Sequence, residues 1–184
     1  ASFSSLKGID AATDLLLSAI QNKKRILVIG DFDADGATST ALTVDCLKRM
    51  GAHWVHYLVP NRFEYGYGLS PAITDLAHKE FQPDLLVTVD NGISSFEGVA
   101  RAKELGMQVL VTDHHLAASP DEKDLPIADA IVNPNQPNCL FESKSACGCA
   151  VVFYVLCALR AELIKQGYEA ASLPNMAGYR ELVA

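Results

Sequence analysis

Three short runs hold the residues able to do chemistry: Asp31-Phe32-Asp33-Ala34-Asp35-Gly36, Asp90-Asn91-Gly92 and Asp113-His114-His115. Carboxylates gathered within a few ångströms repel strongly unless cations lie between them. Carboxylate oxygens with one or two imidazoles suit Mn²⁺ or Mg²⁺, whereas thiolate-rich sets suit zinc. Two such ions roughly 3.5–4 Å apart form a centre for in-line attack on a phosphoester. Taken singly, each run has an ordinary reading. An Asp after a strand often caps a helix or opens a turn, and adjacent histidines often share a surface by accident. The chemistry depends on whether the fold brings the three runs together.

The surrounding pattern predicts that it does. Arg25 to Gly30 is a continuous apolar run, the mark of a strand buried on both faces. Ala37, Ala41, Val44 and Leu47 follow at helical spacing, with Lys48 and Arg49 in the last turn and Gly51 just past it. His53 to Pro60 reads as a second strand. Ser70-Pro71 opens a helix with a capping residue and a first-turn proline. Asp84 to Asp90 is a third strand, and Ser94-Ser95-Phe96-Glu97 reads as a capping box for a helix ending near Gly106. Gln108 to Thr112 and Ala130 to Val132 are a fourth and a fifth strand, separated by a polar loop over Leu116 to Ala128. An apolar helix is expected from about Ala146 to Lys165. Alternating strands and helices predict a three-layer α/β domain, its mostly parallel five-stranded sheet flanked by helices. Ligands of such sheets gather beyond the carboxyl ends of the strands. Neighbouring strands lie about 4.8 Å apart, so acidic and imidazole groups at adjacent ends converge.

Two rival motifs fail on residues. Asp31, Asp33, Asp35 and Gly36 open like an EF-hand calcium loop, but the twelfth position is Leu42 in place of glutamate, and a strand precedes the loop. A haloacid-dehalogenase-like D-x-D-x-[TV] pattern meets Asp35 or Ala37 at its fifth position and gives no role to a His pair.

Composition narrows the setting. The 184 residues are 49% apolar and 20% charged, suited to one well-buried domain. No apolar run reaches the roughly 20 residues that span a bilayer, and Ala1 to Ser5 lack a secretory pattern, so a soluble protein without a membrane partner is expected. Cys46, Cys139, Cys147, Cys149 and Cys157 form an odd set without a C-x-x-C pair, which suggests reduced thiols and a cytoplasmic location. Cys147-Gly148-Cys149 reads as packing rather than a metal site. A formal charge of −7 argues against a polyanion-binding surface on this segment, though part of the excess lies in clusters that cations neutralise.

Gly30-Asp31-Phe32-Asp33-Ala34-Asp35-Gly36-Ala37-Thr38-Ser39, Val89-Asp90-Asn91-Gly92 and Thr112-Asp113-His114-His115 together resemble the first three motifs of the DHH phosphoesterases. Smaller members of that family open with a histidine a few residues before a D-x-D. Here that position is apolar, as in the family's single-stranded-DNA exonucleases. Asn61 to Ser70 and Ile131 to Asn135 are similar to segments of those exonucleases as well.

The resemblance implies Asp33, Asp35, Asp90 and His114 as metal ligands, with Asp90 bridging two ions and Asp31 as a less well matched fifth. It implies that His115 faces the scissile phosphate. Asp113 either holds an imidazole tautomer by a hydrogen bond or caps the strand end. Arg62 is either a phosphate contact or half of a structural ion pair, and Asn91 is a further candidate substrate contact. Two departures stand out. The family's small-residue segment before the long helix reads Ser145-Ala146-Cys147-Gly148-Cys149-Ala150, whose thiols could sensitise the site to oxidation. The family's next motif, with a further aspartate ligand, is expected beyond Ala184, as are a second family domain and an oligonucleotide-binding barrel.

Residues 1–184 thus read as the N-terminal part of a DHH phosphoesterase domain, weak or inactive alone. The whole protein is expected to use two Mn²⁺ or Mg²⁺ ions to hydrolyse single-stranded DNA from its 5′ end, releasing mononucleotides in DNA repair and recombination. A single-strand-binding protein or a helicase is the candidate partner. The alternatives are a DHH phosphodiesterase of short oligonucleotides or cyclic dinucleotides, and a scaffold relative that has lost catalysis.

Overall fold

The chain is described over residues 2–183 by a computed structural model. Five strands form its sheet: β1 (Arg25–Ile29), β2 (Trp54–Leu58), β3 (Leu85–Val89), β4 (Gln108–Thr112) and β5 (Ala130–Val132). All four pairings are parallel, in the order β2-β1-β3-β4-β5. The sheet was expected to be mostly parallel and is wholly so. Helices are α1 (Ile9–Gln21), α2 (Ala34–Arg49), the single turn α3 (Arg62–Tyr65), α4 (Pro71–Phe81), α5 (Phe96–Glu104), α6 (Gly148–Lys165) and the short α7 (Arg180–Val183).

The strands have period two, and their side chains sort accordingly into two cores. Ile26 and Val28 of β1, with Leu85, Val87 and Val89 of β3, pack under α1, α2 and α6. Leu27, Ile29, Leu86, Val109 and Val111 face the other way, onto Ile73 and Ala77 of α4 and Val99 and Ala102 of α5. Because both faces are covered there, β1, β3 and β4 read as nearly unbroken apolar runs, whereas the edge strand β2 leaves His56 and Tyr57 exposed.

Register fixes the working edge. Ile29 pairs with Thr88, Val89 with Thr112 and Thr112 with Val132, so β1, β3 and β4 end nearly level. β1 leads to β2 on one side of it, and the chain then returns to place β3 on the other. The β1–β3 boundary is therefore the point where strand order reverses, and a crevice opens beyond it. Asp31 and Asp90 flank that crevice.

One expectation about a helix needs correction. The capping box at Ser94 to Glu97 does not form: α5 begins at Phe96, its N-cap Ser95 makes no side-chain cap bond, and Ser95 Oγ accepts the Leu69 N–H at 3.0 Å. The segment 116–128 is irregular, as expected of a loop, apart from one 3₁₀ turn, Glu122–Asp124. No helix among the described residues is long and apolar enough to cross a membrane.

Candidate metal centre

The site begins with a tight turn between β1 and α2. Asp33 is the N-cap of α2, its Oδ1 accepting the Gly36 N–H at 2.8 Å. A Cβ on Gly36 would stand 2.6 Å from the Asp31 carbonyl oxygen, so only glycine lets the chain turn this closely. The turn leaves Asp31 buried, and Arg62 grips its carboxylate in fork geometry. Arg62 Nε donates to Oδ1 at 2.9 Å and Nη2 to Oδ2 at 2.6 Å. Nη2 also lies 3.6 Å from Asp33 Oδ2.

Asp90 is the most constrained member. It adopts a left-handed backbone (φ 61°), uncommon for a residue with a Cβ, and is only 2% exposed. Burial, then the negative charges of Asp35 and Asp33, push its carboxyl pKa up to about 7. His114 Nε2 lies 3.0 Å from Asp90 Oδ1, but without hydrogen-bond geometry, so that buried oxygen lacks a donor. Unpaired buried carboxylate oxygens are costly, and a cation is one way to satisfy them.

Asp113 serves both roles considered for it. Its Oδ2 accepts the Ile93 N–H at 3.0 Å and its Oδ1 the His114 N–H at 2.8 Å, which fixes the loops at the sheet edge. The same Oδ1 lies 2.6 Å from His115 Nδ1 and so orients that ring. Partial desolvation lowers the His115 pKa, but the hydrogen bond and charge of Asp113 outweigh it, and the net shift is upward. Tyr67 adds a third contact. Its hydroxyl reaches the Asp90 carbonyl and His115 Nδ1, each at 3.2 Å, and its ring meets His115 edge-on. Burial and the charges of Asp113, Asp31 and Asp90 raise the phenol's pKa and keep it protonated.

Asp35 faces the start of α6. Its Oδ2 accepts the Gly148 N–H at 2.8 Å and its Oδ1 the Cys149 N–H at 3.1 Å, so it satisfies two free amides of that helix. Cys149 is buried, and burial together with the charge of Asp35 pushes its thiol up to about 12, which keeps it protonated and a poor nucleophile.

Most of the expected residues therefore meet at one edge. Ligand atoms of Asp31, Asp33 and Asp90 lie within 4.8 Å of one another, as do those of Asp90, Asp113, His114 and His115. Asp90 belongs to both sets. Asp35 lies outside them, with its oxygens turned to α6. Asn91 departs from the expected substrate contact. It is 1% exposed, and its amide nitrogen donates to the Ile29 and Val89 carbonyls at 3.1 and 2.9 Å, clamping β1 to β3. Arg62 is engaged in an ion pair with Asp31. Tyr67 was not anticipated, because it lies in a loop between α3 and α4 whose path over the sheet edge no local pattern reveals.

Hard oxygen donors, one or two imidazoles and an undonated buried carboxylate oxygen fit Mn²⁺ or Mg²⁺. The fold and the site define a doubly wound α/β domain with an acidic–imidazole centre at its switch point. The sequence profile of the DHH family, N-terminal domain, matches residues 25–178, and the chain belongs to that family. It is 50% identical over 97% of its length to the single-stranded-DNA-specific exonuclease RecJ of Escherichia coli (strain K12), and covers 31% of that protein. It is 53% identical to the RecJ of Haemophilus influenzae, again over 97% of the chain and 30% of the relative. A crystal structure of exonuclease RecJ bound to manganese superposes with a TM-score of 0.80, at 36% identity over 97% of this chain and 42% of that one. The chain thus spans about a third of the length of these curated relatives.

Proposed function

We propose that this chain is the metal-binding part of a single-stranded-DNA-specific exonuclease. The whole protein would remove mononucleotides from the 5′ end with two Mn²⁺ or Mg²⁺ ions, in the cytoplasm, during DNA repair and recombination. The observation that carries the reading is Asp90, common to both ligand sets and holding an oxygen without a donor. Identity of 50% and 53% to named single-stranded-DNA exonucleases supports the substrate class. Manganese bound to the similar exonuclease RecJ supports the cofactor.

Asp31, Asp33, Asp90 and His114 are the residues that would hold the ions, with Asp35 close by. When bound, the ions lower the pKa of a water and offset charge that develops on the phosphate. The chain's own groups do the rest. Asp113 fixes His115 through Nδ1, which leaves Nε2 as the nitrogen for a phosphate or leaving-group oxygen. A protonated ring would donate from Nε2 to that oxygen. Arg62, with its fork already at the mouth of the site, is suited to a phosphate oxygen once Asp31 is shared with a cation. A single-strand-binding protein or a helicase would deliver the strand.

The test is hydrolysis by the whole protein of a 5′-labelled single strand, the same sequence as duplex, a dinucleotide and a cyclic dinucleotide. Rapid, Mn²⁺-dependent release of mononucleotides from the single strand is expected. Preference for the dinucleotides would assign the small-substrate activity instead, and no hydrolysis of any substrate would leave a scaffold.

A further inference from the structure

Two phenylalanines stand in solvent beside the acidic centre. Phe32, between Asp31 and Asp33, is 71% exposed, and Phe63, next to Arg62, is fully so. Burying a phenylalanine side chain is worth roughly 1.5–3 kcal/mol, and both rings forgo that gain directly beside residues of the acidic centre. They do not stand apart. Phe32, Asp33, Asn61, Arg62 and Phe63 line one open hollow of about 520 Å³, within the roughly 300–1,000 Å³ range of small-ligand sites. Its lining thus combines aromatic faces, a guanidinium and a carboxylate of the ligand set Asp31, Asp33 and Asp90.

We propose that Phe32 and Phe63 form a stacking platform for bases of the strand whose phosphate lies at the acidic centre. The inference rests on the proposed single-strand substrate and adds the groups that would hold its bases. A phosphate at Asp33 and Arg62 carries its nucleoside into the hollow these residues share with the two rings. Stacking on an aromatic face tolerates any base, because every base has a π-face, and it needs the base unpaired. The platform therefore favours single strands without reading their sequence. It also gives this segment a grip that does not depend on basic residues, of which it has 15 against 22 acidic. Apolar packing against another part of the whole protein is the competing occupant. It would not need a guanidinium and a metal-ligand carboxylate in the same lining.

The experiment uses the whole protein with Mn²⁺, a 5′-phosphorylated oligothymidylate, and the same strand carrying abasic residues at its first three positions. Phe63→Ala and the double variant Phe32→Ala/Phe63→Ala are expected to raise KM on the normal strand by tenfold or more, on the scale of about 1–3 kcal/mol per stacked base. On the abasic strand the wild type should already be weakened, and the variants should weaken it little further. Phe63→Trp should restore KM on the normal strand, and Mn²⁺ titration should show the ions bound as in the wild type. Variants that lose equally on both strands, with a lowered Tm, would mean that the rings pack against the rest of the protein, and the platform would be wrong. Wild-type KM in the double variant would overturn it as well. Either result leaves the exonuclease reading standing if the wild type degrades the normal strand. A wild type that does not degrade that strand removes both.

Discussion

Gly148 and Asp90 are in such close contact that a Cβ on the glycine would stand 2.3 Å from Asp90 Oδ1 and 2.7 Å from Asp90 Cβ. The start of α6 thus closes over the buried carboxylate while its amides hold Asp35. Alanine is otherwise the better helix former by about 0.5–1 kcal/mol, so Gly148→Ala should be neutral or favourable if that contact is unimportant. The expected result is the opposite. Overpacking should cost about 1–3 kcal/mol and weaken Mn²⁺ binding, as read by thermal unfolding and calorimetric titration.

Asp90→Asn removes a buried charge that Asp35 and Asp33 repel. The metal-free protein should become more stable by on the order of 1 kcal/mol, a rise of about 2–4 °C in Tm. Hydrolysis should fall by several orders of magnitude, and stabilisation by added Mn²⁺ should disappear. A variant that loses stability without metal would show that Asp90 is held by contacts rather than crowded by charge.

The two histidines should separate by experiment. His115→Ala should slow hydrolysis about 10²- to 10⁴-fold with Mn²⁺ binding largely kept, because Nδ1 is already occupied by Asp113 Oδ1. Asp113→Asn should reproduce part of that loss. His114→Ala should weaken Mn²⁺ binding first. If His115→Ala strips the metal instead, the roles within the pair are reversed.

Arg62 already holds the Asp31 carboxylate that a cation in the proposed centre would share. Arg62→Ala should leave Mn²⁺ binding at least as tight as in the wild type and raise KM for the strand. Arg62→Lys should restore only part of that, since a lysine cannot reproduce the fork. Loss of metal in Arg62→Ala would make the pair a structural support of the centre.

How much of this is legible in sequence depends on the range of the interactions. β4 and β5 fall where their apolar runs predict, because both faces of each strand are covered. The acidic and imidazole runs fall at one edge because a parallel sheet puts all its carboxyl ends there. Ile9, Ala12, Leu16, Ala19 and Ile20 of α1 do recur at helical spacing, yet the helix opens at Gly8 without a side-chain cap to announce it. The Ser94–Glu97 capping box misleads because α5 starts one residue later than the box requires, with Ser95 as its N-cap, and Ser95 Oγ accepts instead from Leu69 of a distant segment. Asp35 lies beside Asp33 in sequence, but the Gly148 and Cys149 amides that claim it are more than a hundred positions away. Contacts of that kind leave no local signal.

The central claim is a divalent-metal centre built around Asp90. Anomalous scattering at the manganese edge from crystals of the whole protein soaked in Mn²⁺ tests it most directly. The account predicts strong peaks against Asp90, with Asp33, Asp31 and His114 around them. Manganese bound only elsewhere, or none beside Asp90 at saturating concentration, would contradict it.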